Sequence, residues 1–125
     1  MINQSREKMG YRSEVVLAVK KEIMPEFLAH LATNEGARNL VYSDADHTEP
    51  NYEYDGNLLV AWSGIKWYEG YSDVDTLEKF MSMCEEDEEG KKEEMFRFVR
   101  IGEDYEDIVT RGYGFDIYVN RTIDY

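Results

Sequence analysis

Residues 44–49, Asp-Ala-Asp-His-Thr-Glu, bring three carboxylates and an imidazole together in a short stretch of chain. Carboxylate oxygens and an imidazole nitrogen are ligands that divalent cations accept in proteins. The segment lacks the central glycine and the closing glutamate of a calcium-binding EF-hand loop. It is therefore more typical of a solvated loop than of a metal site. A small metal-dependent hydrolase acting through Asp44, Asp46 and His47 stays as one alternative.

Nucleophilic catalysis requires an activated serine, cysteine or threonine beside a base. Ser13 has no histidine near it in the sequence, and Cys84 belongs to an apolar helical stripe that favours a buried thiol. Gly112-Tyr113-Gly114 lacks the further glycines and the lysine of a phosphate-binding loop. The sequence thus predicts no catalytic group and no cofactor, and it favours a binding function.

Aromatic side chains with polar tips are abundant, with ten tyrosines and two tryptophans. Such rings are enriched at protein interfaces because they tolerate both water and burial. Their densest group is the aromatic corner, which we define as Trp67, Tyr68 and Tyr71. The corner is either a packed strand-to-helix connection or a contact surface.

Several arginines lie on or beside predicted strands, where they either pair with carboxylates across the sheet or clamp a phosphate or carboxylate ligand. They are Arg12, Arg97, Arg100, Arg111 and Arg121. Arg12 and Arg100 have Tyr11 and Glu103 as near neighbours in the sequence.

The net negative charge of the chain excludes some classes of binding partner and favours others. Acids outnumber bases 27 to 14, and residues 49–125 carry −12 of the formal net charge of −13. Such a field repels nucleic-acid phosphates and anionic membranes. The most concentrated segment is the acidic run, which we define as Glu85, Glu86, Asp87, Glu88 and Glu89. The acids serve either solubility or the binding of a basic surface on another protein.

Hydrophobic periodicity predicts the elements that position these residues. Strands are expected at 11–19, 39–43, 58–67, 95–101, 108–111 and 115–120. Helices are expected at 24–34, with Pro25 in the first turn, and at 72–84, with loops at 44–53 and 85–94. Residues 11–19 are apolar on both faces, which indicates a central strand.

This order predicts one α+β domain over residues 9–125 after a flexible tail at 1–8. The expected fold is ferredoxin-like, in the split β-α-β-β-α-β order with an extra C-terminal hairpin. Its antiparallel sheet would carry two helices on one face and leave the other face partly open. An exposed sheet edge or this open face would permit a homodimer. Another α+β roll with a different strand order is the alternative. A single cysteine and the lack of a signal peptide or a long apolar run predict a cytosolic protein.

Three groups of segments resemble a family of small, largely uncharacterised proteins encoded by bacteriophages and prophages. They are MGYRSEV at 9–15, KWY and YSDV at 66–68 and 71–74, and RIGE and EDI at 100–103 and 106–108. The resemblance covers most of residues 9–125. Arg12 and Arg100 fall within these segments, beside Tyr11 and Glu103, so these four residues are the first candidates for a small-ligand site. The resemblance implies the cytoplasm of an infected bacterium and names no activity, although small phage accessory proteins often bind host or defence machinery.

Three functions are therefore weighed. The first is a non-enzymatic inhibitor that binds a basic surface of a bacterial host or anti-phage defence protein, nucleic-acid mimicry being one form of it. The second is a module that sequesters a nucleotide-like signal by aromatic stacking and arginine–phosphate contacts. The third is the metal-dependent hydrolase. We favour the first, with the acidic run, the aromatic corner and Tyr11, Arg12, Arg100 and Glu103 as candidate binding residues, and no direct contact with nucleic acid or membrane.

Overall fold

The computed structural model describes residues 10–104, 106–120 and 122–125, so the predicted tail at 1–8 lies outside the described residues. The helices are α1 (Met24–Leu31), α2 (Glu35–Tyr42) and α3 (Ser72–Glu85), with 3-10 turns at Lys21–Ile23 and Lys92–Met95. The strands are β1 (Ser13–Val19), β2 (His47–Tyr52), β3 (Asn57–Ile65), β4 (Phe96–Ile101), β5 (Ile108–Arg111), β6 (Tyr118–Asn120) and β7 (Thr122–Asp124). The predicted α+β class is confirmed.

Five strands form one antiparallel sheet in the order β2-β3-β1-β4-β5, and β6 and β7 form a separate hairpin. β1 is the middle strand, with Leu17 paired to Val60 of β3 on one side and to Phe98 of β4 on the other. Its apolar residues from Val15 to Val19 are all at most 3% exposed. The prediction of a central strand with two buried faces is therefore correct.

The helices cover one face of the sheet. Val15, Leu17 and Val19 point into this layer, where they join Phe27 of α1 and Phe80 of α3 in the larger core cluster. The ring centroids of Phe27 and Phe80 are 4.9 Å apart in an edge-to-face arrangement, a geometry that adds to the burial energy of aromatic pairs. The predicted apolar stripe of α3, which ends at Cys84, is buried along its length. None of the helices in the described part of the chain is long and apolar enough to cross a membrane.

Two neighbouring predictions are wrong. Residues 39–43 belong mainly to the end of α2 rather than to a strand, and the helix predicted at 24–34 ends at Leu31, so three helices replace the expected two. The Asn34 side chain accepts a hydrogen bond from the Ala37 backbone at 2.8 Å and caps the new helix. Ala37, Leu40 and Val41 are buried at helical spacing. Over so short a length, the apolar pair Leu40-Val41 cannot distinguish a helix from a strand.

The loop predicted at 44–53 contains β2, the edge strand of the sheet. β2 pairs with β3 through His47 with Ala61 and Glu49 with Leu59. An edge strand can be polar, and it tolerates Pro50 because one side of its backbone needs no partner. β2 and β3 form a hairpin whose turn contains Asp55 and Gly56.

The second face of the sheet is not open as predicted. Val16, Ala18, Leu59 and Val99 are at most 3% exposed on this face, under Ile117 of the C-terminal segment. The strand expected at 115–120 is reduced to β6, which pairs with β7 rather than extending the sheet. Phe115, Ile117, Val119 and Ile123 thus supply a second covering layer over the apolar second face of the sheet.

Candidate functional site

The chain segments around Tyr11, Tyr68 and Arg100 meet at one end of the sheet. We call this place the tyrosine–arginine corner and define it by Tyr11, Arg12, Arg100, Glu103 and Asp107. Arg100 lies near the end of β4, and its side chain is only 5% exposed. Its guanidinium makes two parallel contacts with the Asp107 carboxylate, Nη2 to Oδ1 at 2.7 Å and Nη1 to Oδ2 at 3.0 Å.

This ion pair is enclosed by further hydrogen bonds. The Tyr11 hydroxyl donates to Asp107 Oδ2 at 2.5 Å, and Ser13 Oγ accepts from Arg100 Nη1 at 3.2 Å. Burial and the Asp107 hydrogen bond raise the pKa of the Tyr11 hydroxyl. Because Arg100 directs its forked end at Asp107, the corner as it stands is a structural pair rather than an open phosphate clamp.

Arg12 and Glu103 tie the exposed side of the corner together. The Arg12 backbone N–H donates to Glu103 Oε2 at 2.5 Å, and Arg12 Nη1 donates to the Gly64 carbonyl at 2.8 Å. The Tyr68 hydroxyl donates to the Tyr11 carbonyl at 2.9 Å. Four of the predicted binding residues, Tyr11, Arg12, Arg100 and Glu103, are therefore brought together, and Tyr68 joins them from the aromatic corner.

The aromatic corner divides into a buried and an exposed part. Trp67 is 6% exposed and packs with Trp62 and Phe98, so the packed-corner interpretation holds for this residue. Its indole N–H donates to Glu78 Oε2 at 3.0 Å. Tyr71 is 48% exposed, with its ring 5.2 Å from that of Tyr68. Only the two tyrosines can contribute to a contact surface.

The acidic run likewise has structural and free members. Glu85 and Glu78 both form ion pairs with Arg111 of β5, with Glu85 Oε1 at 2.7 Å from Nη2. Asp87 Oδ2 accepts the backbone N–H groups of Lys91 and Lys92 at 2.9 and 3.1 Å. Glu86, Glu88 and Glu89 are exposed on the loop that Asp87 holds.

The acidic run and the aromatic corner flank opposite ends of α3. This helix has 14 residues, which corresponds to a length of about 21 Å at 1.5 Å per residue. The two predicted contact regions are thus separate patches, and one partner would have to lie along α3 to touch both.

The Arg111 pair gives an expected acid dependence. The hydrogen bond from Arg111 lowers the pKa of Glu85 against the opposing effect of burial. A lowered pKa contributes stability above the ordinary carboxyl pKa of about 4.3, and this stability is lost as the pH falls through the folded value. Glu85→Gln should therefore reduce the unfolding free energy near neutral pH and flatten its decline in acid, as measured by urea unfolding across that range.

The matched control is Glu88→Gln, which removes an exposed carboxylate of the same loop. It should leave both the neutral stability and the acid slope close to those of the parent chain. Identical acid profiles for the parent and Glu85→Gln would show that the Arg111 pair contributes nothing measurable.

The segment 44–49, which contains His47, lies at the edge of the sheet. Asp46 Oδ2 accepts the Ser63 backbone N–H at 2.6 Å, and His47 begins β2. Within residues 10–104, 106–120 and 122–125, no group of three or more His, Cys, Asp and Glu side chains is arranged to hold a metal ion. Cys84 is buried as expected, and burial raises the pKa of its thiol to about 12, which keeps it in the unreactive protonated form near neutral pH.

The sequence analysis did not identify the carboxylates that form ion pairs with Arg100 and Arg111. Asp107 and Glu78 are two acids among 27, and no spacing rule singles them out. It also missed Glu14 and Ser63, which are hydrogen-bonded to each other across β1 and β3 at 3.1 Å. The sequence signal that could have identified Glu14 and Ser63 is that each is a polar residue near the end of an apolar strand.

Comparison with protein-family models, with curated proteins and with solved structures gives no match for this chain.

Proposed function

We propose that this chain is a non-enzymatic binding protein that occupies a basic surface on another protein. The observation that carries the proposal is a preorganised loop of uncompensated carboxylates after α3. Glu86 and Glu88 form no side-chain hydrogen bond or ion pair with the described residues. Glu89 lies 3.5 Å from Lys91, with both side chains about 70% exposed, so that pair is worth little.

The charge balance of the whole surface supports the same proposal. Of the 27 acids in the sequence, six pair with bases in the described part of the chain. They are Glu26, Asp55, Glu78, Glu85, Glu89 and Asp107. The carboxylates that remain create a negative field, which attracts and orients a basic partner before contact.

The loop is fixed before it binds. Asp87 holds two backbone N–H groups of the chain that follows, and Gly90 makes the turn with a positive φ of 72°. A surface that is already ordered loses less conformational entropy on association. Tyr71, at the other end of α3, adds an exposed ring of the kind enriched in protein interfaces.

The proposed setting is the cytoplasm of a phage-infected bacterium, and the proposed partner is a host or anti-phage defence protein. This part of the proposal rests on the resemblance of the segments around Tyr11, Tyr71 and Arg100 to phage-encoded proteins. We also propose that the domain is a ferredoxin-like variant. The observed order is β1-α1-α2-β2-β3-α3-β4, which has one helix more than the split β-α-β-β-α-β order. The position of β1 between β3 and β4 in the sheet supports the assignment.

Charge reversal on the loop tests the function. We expect Glu86→Lys, Glu88→Lys and Glu89→Lys, combined in one variant, to reduce partner capture from bacterial lysate by at least tenfold. Glu85 and Asp87 are left in place because both have structural roles. Capture is measured by affinity purification and quantitative mass spectrometry at about 0.1 M and 1 M salt, where the screening length falls from about 10 Å to about 3 Å.

The control variant reverses three exposed acids elsewhere, Glu22, Glu106 and Asp116, and so has the same net charge. It should retain most of the capture, and the parent should release its partner at the higher salt. If both variants lost partner capture equally, the loss would be explained by the change in net charge and not by the position of the acidic loop. Salt-insensitive capture by both variants would contradict the proposal.

A further inference from the structure

A cavity of about 370 Å³ lies where the ends of β1, β2 and β3 meet the C-terminal hairpin, and it is open to solvent on the side where Glu14, Asp46 and His47 are exposed. This volume is within the range of small-molecule pockets, at its lower end. Its apolar wall includes Val16, Ala61 and Ile123, and its polar wall includes Glu14, Asp46 and His47. It is distinct from the acidic run and from the tyrosine–arginine corner.

The two carboxylates in the wall are held in place by one short stretch of β3. Glu14 Oε2 accepts the Ser63 hydroxyl at 3.1 Å and the Gly64 N–H at 2.8 Å, and Asp46 Oδ2 accepts the Ser63 N–H at 2.6 Å. Each carboxylate thus uses one oxygen to fix its position. Glu14 Oε1 and Asp46 Oδ1 have no hydrogen-bond partner in the described part of the chain.

A pair of flat rings lies on another side of the cavity. His47 and Tyr125 both line it, and their ring centroids are 6.3 Å apart with planes only 29° from parallel. Tyr125 is 54% exposed, so its ring is accessible. A planar cation can stack on such a surface and at the same time direct its N–H groups at a carboxylate.

The described part of the wall is negatively charged, and Arg121 lies outside the described residues. Neither a lysine nor an arginine is among the described residues that line the cavity, whereas two fixed carboxylates are. The apolar wall suits a short hydrocarbon stem rather than a bare metal ion. Together these features match a guanidinium on an alkyl chain better than the compact, strongly hydrated ammonium of lysine.

We propose that this cavity binds the side chain of an arginine presented by the partner. The guanidinium donates to the free oxygens of Glu14 and Asp46 and stacks beside His47 and Tyr125, while its methylenes contact Val16 and Ala61. The inference rests on the proposed function, because it supplies that function with its specific anchor. The acidic run would attract a basic partner through its long-range field, and the cavity would bind one arginine of that partner.

The test uses two small probes and the full chain. N-acetyl-arginine N-methylamide is titrated while backbone amide resonances are followed by ¹⁵N NMR, and N-acetyl-citrulline N-methylamide serves as the neutral probe of nearly the same shape. The arginine probe should shift amides around Asp46, His47 and Ser63 and bind at least tenfold more tightly than the citrulline probe. Equal affinity for the two probes, or no shift at these positions, would overturn the inference.

Two isosteric variants separate binding from folding. Glu14→Gln and Asp46→Asn keep an oxygen that can accept the β3 hydrogen bonds and remove only the charge. Each should weaken the arginine probe at least fivefold with little change in the amide spectrum. Glu88→Gln, on the distant acidic loop, should leave its affinity unchanged, and an equal loss in this control would overturn the assignment to the cavity.

Failure of this inference is distinguishable from failure of the proposed function. If the loop reversals abolish capture while the arginine probe does not bind, only the cavity assignment fails. If the probe binds as expected while capture is insensitive to salt and to charge reversal, the proposed function fails and the cavity remains an arginine site.

Discussion

Replacing Asp107 with alanine is expected to lower the free energy of unfolding by about 3–5 kcal/mol, because it leaves the Arg100 guanidinium buried without its counter-charge. Arg100 is 4% exposed as a whole residue, and both of its terminal nitrogens contact this carboxylate. The hydroxyl of Tyr11 loses its acceptor in the same variant. Chemical denaturation of the parent and the variant measures the difference.

A double replacement distinguishes the cost of an unpaired charge from the worth of the pair. Arg100→Met combined with Asp107→Leu removes both charges and keeps apolar volume, so it should recover most of the lost stability. Asp55→Ala removes the partner of Lys21 in an exposed pair and should leave stability nearly unchanged. A loss for Asp107→Ala no larger than that for Asp55→Ala would show that the corner is not a buried ion pair in solution.

Gly112→Ala is expected to cost about 3 kcal/mol or more, through two additive effects. Gly112 has a φ of +78°, a left-handed conformation that costs a residue with a Cβ about 1–2 kcal/mol. A Cβ built there would also lie 2.2 Å from the carbonyl oxygen of Phe96. That oxygen cannot easily move away, since it accepts the Gly114 N–H at 2.8 Å.

Gly90→Ala isolates the first of these effects. Gly90 has a φ of +72°, but a Cβ built there meets no atom within 4 Å. This variant should lose only the conformational part, about 1–2 kcal/mol. Thermal or urea unfolding of the two variants side by side measures the contribution of the close approach to β4, and equal losses would show that the approach costs nothing.

The sequence predicted those elements whose residues are buried in a regular pattern. β1 and β3 are apolar on both faces, and α3 has an apolar stripe that ends at Cys84, so hydrophobic periodicity identified all three. β2 was missed because an edge strand buries little and need not alternate. α2 was missed because its apolar residues Leu40 and Val41 are adjacent and few, and such a pair fits either type of element.

The candidate sites were likewise predictable only where the sequence contains a clear pattern. Arg12 and Arg100 were predicted as candidates because both fall within the segments that carry the resemblance, beside Tyr11 and Glu103, and the structure brings these four residues together. The pairing of Arg100 with Asp107 could not be predicted, since nothing in a sequence with so many acids marks one carboxylate as the partner. The cavity beside Glu14 and Asp46 depends on where the last residues of the chain lie, and their short strands left no strong pattern.

The C-terminal segment that covers the second face of the sheet also affects self-association of this protein. Arg97 holds the cover through the carbonyls of Gly112 and Ile117, and Ile117 is 1% exposed against the sheet. For two copies to pair through this face, the C-terminal segment would first have to leave the sheet. Exposing the Ile117 side chain alone would cost roughly 1.5–3 kcal/mol. Two copies that paired through this face of the sheet would therefore have to offset that cost.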